Sequence, residues 1–317
     1  MHSKNEPNLN SIGKVEPLYS LAHLTLIECS APELVYIAAR AGYDAVSPRF
    51  IPMNVAGEFA CWPEDTSLVD ATKLALKTTG LKVLDMELAR ITDECDPRSF
   101  SPAIELGGEL GAKRLIMSAW TSSRDDRNFL VDCYAETCEL AAPYGLSVDL
   151  EFPSFSRLRT LDEALDIVRA ADQDNSGILI DTLYMHLSRV DIAELSHVPS
   201  EYIHFLHVSD ALPGIADTKE GMIQLARDAR LYPGEGCIDF RRIIERLPPL
   251  DYSIELPNKS RTHELGFEEH ARRCLDHAKR IFAEAKSQKH LAGADIALSA
   301  SPITNNLEEI HNGSRTH

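Results

Sequence analysis

The sequence predicts an α/β protein folded as a (β/α)8 TIM barrel with disordered N- and C-terminal tails, and three observations carry that expectation. Helical stretches that stop at a glycine and pass at once into a short apolar run recur along the chain. The glycines at 42, 80, 111, 145 and 177 stand 38, 31, 34 and 32 residues apart, each interval about one helix plus one strand with short loops. The runs after them are rich in Val, Ile and Leu, as parallel strands covered on both faces require. Finally, no GxGxxG follows the first strand, where an open doubly wound sheet would bind a nucleotide. Strict alternation builds a parallel sheet, and eight strands close it.

The elements follow in order. A first strand near 18–26 leads to the helix "ELVYIAARAG", whose Leu34, Ile37, Ala38 and Ala41 share one face. Gly42 suits the left-handed position that ends such a helix, where a side chain would be strained. The same sequence of events gives a strand near 43–49, "ATKLALKTTG" to Gly80, and a strand near 81–88. "AIELGGELG" ends at Gly111 before a strand near 112–118, and "CYAETCELAAPYG" at Gly145 before one near 146–152. "ALDIVRAADQDNSG" ends at Gly177 before a strand near 177–182; strands near 202–209 and 251–257 complete the eight. Residues 1–16 and 286–317 have weak apolar pattern and read as disordered tails, which leaves 17–285 as the barrel.

Composition bounds the function. A net charge of −17 argues against non-specific nucleic-acid binding, because phosphates would be repelled. No run approaches the ~20 apolar residues of a membrane span, and the start, "MHSKNEPNLNSIGKVEP", holds no apolar signal region. Seven cysteines without a CxxC make a poor disulfide framework, so a reducing, cytoplasmic location is expected. A small-molecule partner remains, with a homo-oligomer left open.

Active sites of such barrels lie at the C-terminal ends of the strands. Strand five, "LSVDLEF", ends at Glu151, and strand six, "ILID", at Asp181. Strand seven, "YIHFLHVSDA", carries His207 near its end, and strand eight, "DYSIELPN", carries Glu255. Glu151, His207 and Glu255 have apolar neighbours on both sides, as groups pointing into a barrel mouth should. Three carboxylates converging without a cation would repel one another. A divalent metal removes that difficulty. Three oxygens and one imidazole suit Mn2+, the ion expected here, with Mg2+, Co2+ or Zn2+ as alternatives.

These strand ends, "DLEF", "LIDT", "LHVSDA" and "SIELPN", together with "YPGEGCIDF", resemble the sugar isomerase/epimerase-type members of the xylose isomerase-like (endonuclease IV-related) barrel superfamily. The resemblance covers most of residues 18–284. It implies that Glu151, Asp181, His207 and Glu255 are the metal ligands. It also implies that Glu151 and Glu255 are the catalytic pair, exchanging protons on either face of a hydroxy-ketone or aldehyde through a metal-stabilised enediolate. The implied activity is isomerisation or epimerisation of a small sugar, keto-acid or polyol derivative. A lyase, dehydratase or decarboxylase, is the alternative on the same scaffold. The histidine-rich phosphodiesterase branch fits this acidic chain poorly, and a non-catalytic barrel would not need both glutamates.

Many superfamily members carry a histidine three residues after the strand-six aspartate, whereas this chain has Tyr184 there and His186 two residues further on. His186 is the candidate for contact with substrate hydroxyls. Arg230, Glu87 and Trp120 are further substrate-binding candidates, Arg230 because its fork suits a carboxylate or phosphate. Arg49, His23 and Trp62 could also line the mouth. "PGEG" at 233–236 reads as a tight turn, Asp210 as a loop or helix cap, and His204, of opposite parity to His207, as packing behind its strand.

Overall fold

The computed structural model describes residues 16–124, 126–214, 216 and 218–299. Its strands are β1 (Tyr19–Ala22), β2 (Ala45–Ser47), β3 (Lys82–Val83), β4 (Asp85–Ile91), β5 (Arg114–Ala119), β6 (Ser147–Glu151), β7 (Ser176–Asp181), β8 (Ile203–Val208) and β9 (Asp251–Ile254). They form one sheet in the order β3-β2-β1-β9-β8-β7-β6-β5-β4, with every pairing parallel. β3 and β4 are halves of the single strand expected near 81–88, interrupted only at Leu84. The first half pairs with β2 and the second with β5, so the two ends of the order belong to one segment and the sheet curls into a nearly closed TIM barrel. An Arg49–Glu87 bridge carries the seam up to the mouth. β1 is shorter than expected, because the chain turns into a 3-10 helix at His23–Leu26.

Local signals explain most boundaries. Gly42, Gly80, Gly111 and Gly145 take φ values of +90°, +75°, +77° and +70°, the left-handed conformation that ends a helix. Gly177 is a correction. It lies inside β7, and the left-handed residue that ends the preceding helix is Asp172, at φ +49°. Gly177 answers to space instead: a Cβ there would stand 2.3 Å from Asp149 Oδ1 and 2.6 Å from His204 Nδ1.

His204 is a second correction. Ile178 pairs with Ile203 but Ile180 with Leu206, so β8 carries one extra residue between these pairs. Such a bulge inverts parity. It turns His204 against Asp149 at 2.6 Å, rather than behind the strand, and still leaves His207 aimed at the mouth.

Most of the apolar core lies between the sheet and its surrounding helices. The helix Leu161–Ala171, for example, opens on a Thr160/Glu163 capping box and buries Leu161, Ala164, Leu165, Ile167, Val168 and Ala171 on one face. A smaller cluster, Ala45, Leu84, Leu88, Ile116, Leu179 and Phe205, forms a separate layer of its own. The last helix runs from Phe267 to Ser299, past the boundary expected near 286. Residues 286–299 contain one glycine and no proline, so nothing in them stops a helix. The remaining parts of the expected tails, 1–15 and 300–317, lie outside the described residues. No described helix is long and apolar enough to cross a membrane.

Candidate metal centre

Asp181 ends a strand buried throughout, and its carboxylate serves two purposes. Oδ1 caps the helix Thr182–Leu187, accepting from the N–H groups of Leu183 (2.7 Å) and Tyr184 (3.3 Å). Oδ2 faces His207 Nδ1 at 3.9 Å. The same nitrogen stands 3.8 Å from Glu151 Oε1 and 3.4 Å from Glu255 Oε2. Glu151, Asp181, His207 and Glu255 each offer a ligand atom, all within 4.8 Å of one another, and none of the four residues is more than 6% exposed. The four strand ends singled out in the sequence therefore meet at one point.

Arg230, a candidate for substrate contact, lies in the loop after the helix Lys219–Asp228 and is fully buried. It donates from Nη1 to Asp181 Oδ2 (2.8 Å), and its Nη2 stands 2.7 Å from Glu255 Oε2. Nε donates to the Ala226 carbonyl, and Asn258 holds the Arg230 carbonyl at 2.9 Å. One guanidinium does not balance three carboxylates. Among the described residues it leaves Glu151 without a cationic hydrogen-bond donor, and neither ring nitrogen of His207 makes a well-aligned hydrogen bond, the nearest carboxylate oxygen, Glu255 Oε2, standing 3.4 Å from Nδ1. A buried, unpartnered imidazole facing three carboxylates is costly as it stands and suits a divalent ion well. The oxygens that accept from Arg230 keep a second lone pair for a metal.

The electrostatics agree. Burial, then the like charge on Glu255, pushes Glu151 well above the usual carboxylate range. Burial raises Asp181 as well, against the pull of Arg230. Burial would also raise Glu255, but Arg230, His207 and Arg49 together hold it below the usual range. For His207, burial opposes the charged ring, yet Glu255, Asp85 and Glu151 outweigh it and lift the imidazole to about 10. The site thus stabilises positive charge where the carboxylates converge.

A cavity of about 30 Å3 lies over this cluster, lined among others by Arg49, Glu87, Trp120, Phe155, Tyr184 and Arg227. Glu87 is tied to Arg49 through its Oε2. Trp120 donates from Nε1 to Ser118 Oγ at 2.7 Å and packs against Phe155. His186 lies outside this cavity, its Nε2 3.0 Å from the Gly214 carbonyl oxygen. The helix that Asp181 caps advances about 100° per residue, so a helix that turns Tyr184 to the mouth turns His186 away. Trp62 is 46% exposed and does not line the mouth. His23 is buried in place, its Nε2–H directed at the Cys29 carbonyl and its Nδ1 accepting from the Arg49 N–H. Asp210 anchors the 233–236 turn, accepting from the N–H groups of Gly234, Gly236 and Ile238.

Asp85 escaped the sequence reading. Its carboxylate lies within 4.8 Å of the ligand atoms of Glu87 and His207, with Oδ2 bonded to Ser47 and Oδ1 unpartnered. The signal was present in "LDMEL", where Asp85 and Glu87 share a strand face two residues apart.

Residues 35–279 match the family described as the xylose isomerase-like TIM barrel. The chain belongs to that family. Among curated relatives, an inosose isomerase of Bacillus velezensis is 24% identical over 250 residues, covering 73% of this chain and 85% of the relative. A 3-dehydroshikimate dehydratase of Pseudomonas aeruginosa is 32% identical over 218 residues, covering 66% of this chain but only 32% of that longer protein. Among solved structures, an IolI protein with a bound zinc atom superposes with a TM-score of 0.70 at 20% identity, covering 84% of this chain and 99% of its own. The relatives are enzymes, and within this family they divide between isomerases and dehydratases.

Proposed function

We propose that this chain is a metal-dependent isomerase or epimerase of a small hydroxy-ketone or hydroxy-aldehyde, with residues 17–285 acting as one catalytic barrel. The observation that carries the reading is the buried quartet of Glu151, Asp181, His207 and Glu255 around an unpartnered imidazole. The inosose isomerase relatives support the reaction class. The donor set takes Mn2+, and the zinc of the IolI structure supports Zn2+ as an alternative.

A bound divalent ion would polarise the carbonyl as a Lewis acid and so acidify the adjacent C–H. The residues do the rest. Asp181 and Glu255, pinned by Arg230, hold their oxygens in fixed positions. Glu151 carries no guanidinium partner and lines the cavity, so it is the carboxylate freest to accept the proton. Glu255 comes from the far side of β7 and β8 and faces the opposite side of a bound substrate; held ionised by Arg230 and His207, it returns a proton there only after taking one from solvent. Trp120 and Phe155 wall the cavity and exclude water.

A lyase is the second reading, favoured by the higher identity to the dehydratase. Here the group that returned the proton would protonate a departing hydroxyl instead. The test uses Glu151→Gln and Glu255→Gln, which keep shape and a ligating oxygen but carry no proton at neutral pH. Incubated in D2O with a panel of ketoses, keto-acids and cyclitol ketones, Glu151→Gln should lose both solvent exchange and product formation, by ~10²–10⁴-fold. Glu255→Gln should lose product while retaining exchange. Activity that falls only in proportion to metal content in both variants would leave the glutamates as ligands and nothing more. Loss of water from the substrate would identify the lyase.

A further inference from the structure

Arg227 stands where the small cavity over the quartet adjoins a groove of about 820 Å3 that passes Glu28, Pro257, Lys259 and His263. Only Leu24 and Arg227 line both spaces. The cavity, at about 30 Å3, has room for a reacting end and little more. A ligand that extends from the cavity into this groove passes Arg227.

This guanidinium is half-buried and makes no hydrogen bond or ion pair among the described residues. Two further arginines, Arg49 in the wall of the small cavity and Arg90, each keep one N–H group without a hydrogen bond. Arg49, 4% exposed, gives Nε and Nη2 to Glu87, and its Nη1, without a hydrogen bond, stands 4.0 Å from Glu58 Oε1. Arg90 gives Nη2 to the Pro52 carbonyl at 3.1 Å and leaves a buried Nε without a partner. Burial, then the charge on Arg49 and, against the pull of Glu58, that on Arg227, holds Arg90 below the usual arginine value, so the three lie within electrostatic reach. Glu87 and Glu58 answer Arg49, whereas Arg227 has no anion among the described residues, and an oxyanion would complete its unused N–H groups.

We propose that the substrate carries an anionic group, a carboxylate or a phosphate, which Arg227 receives at this junction while the hydroxy-carbonyl end lies among Glu151, His207 and Glu255. The placement of the reacting end rests on the proposed function; the anion site does not. A guanidinium fork matches both oxyanions, and a neutral sugar would leave it without a charged partner.

Three probes share one hydroxy-ketone unit: dihydroxyacetone, hydroxypyruvate and dihydroxyacetone phosphate. Their affinities are measured by calorimetry or NMR titration on metal-free and Mn2+-loaded protein, in the native chain, Arg227→Gln and Arg227→Lys. At least one charged probe should bind the native chain about 10- to 100-fold more tightly than dihydroxyacetone. Arg227→Gln should abolish most of that ratio, and Arg227→Lys should keep part of it. The charged probe that binds more tightly tells carboxylate from phosphate. Equal affinities, a ratio undiminished in Arg227→Gln, or no binding by any probe would each overturn the assignment. A protein that takes up no metal yet keeps the ratio would sink the proposed function and leave the anion site standing.

Discussion

Arg230→Met tests whether the buried guanidinium and a metal ion compensate the same carboxylates. Methionine is two bonds shorter than arginine but is likewise flexible and unbranched and fills apolar space, so the change removes chiefly charge and donors. Arg230 is 0% exposed. The substitution strips donors from Asp181 Oδ2, Ser209 Oγ, the Glu255 carbonyl, Tyr184 Oη and the Ala226 carbonyl, and removes the ion pair with Glu255 Oε2. Breaking one buried pair by deleting a partner costs about 3–5 kcal/mol, and two carboxylates are stranded here, so the upper end applies. At roughly 2 °C per kcal/mol for a domain of this size, the metal-free protein should melt ~10 °C lower. A divalent ion neutralises the same two oxygens, so it should raise the melting temperature of the variant more than that of the native chain. Thermal denaturation with excess chelator and with excess Mn2+ or Zn2+ supplies the four temperatures needed. Equal metal-induced shifts in the two proteins would refute the shared-carboxylate argument, as would a metal-free variant within ~2 °C of native.

Asp181→Ala and His207→Ala should both lose bound metal by elemental analysis; Asp181→Asn keeps a capping oxygen, and so separates lost ligation from the ~1 kcal/mol of a lost cap. Gly177→Ala should cost about 1–3 kcal/mol in denaturant unfolding by driving a methyl into Asp149 and His204, with metal content unchanged, since that pair is not part of the quartet. Two histidines should make the fold acid-sensitive. Burial lowers His23 and His270 to about 4 each, so both fold neutral. The unfolded chain binds their protons near pH 6.5, and stability therefore falls as pH drops from about 6.5 to about 4, by ~3 kcal/mol for each histidine at most. His270→Gln should flatten that slope in denaturant titrations across the same window, and an unchanged slope would mean that His270 is not held neutral.

The repeating helix–glycine–strand pattern and the four strand-end residues are local properties, and they were legible because period and parity survive wherever a strand is regular. Gly42, Gly80, Gly111 and Gly145 each act within one turn of chain, so the sequence alone determined where those helices stop. Gly177 and His204 were misread because each depends on another strand: an extra residue in β8 reverses the parity around His204, and the pair it forms with Asp149 leaves no room for a Cβ at 177. The last helix runs on to Ser299, into the stretch expected as a tail from 286. Arg230 is the largest difference. In sequence it is one polar residue in a loop, and only closure of the barrel brings it under Asp181 and Glu255, which lie 49 and 25 residues away. Arg227 and Asp85 acquire their partners, or their lack of partners, in the same way. Residue type and spacing decide what a strand end offers. Burial, and which charges share the space, exist only once distant segments have packed.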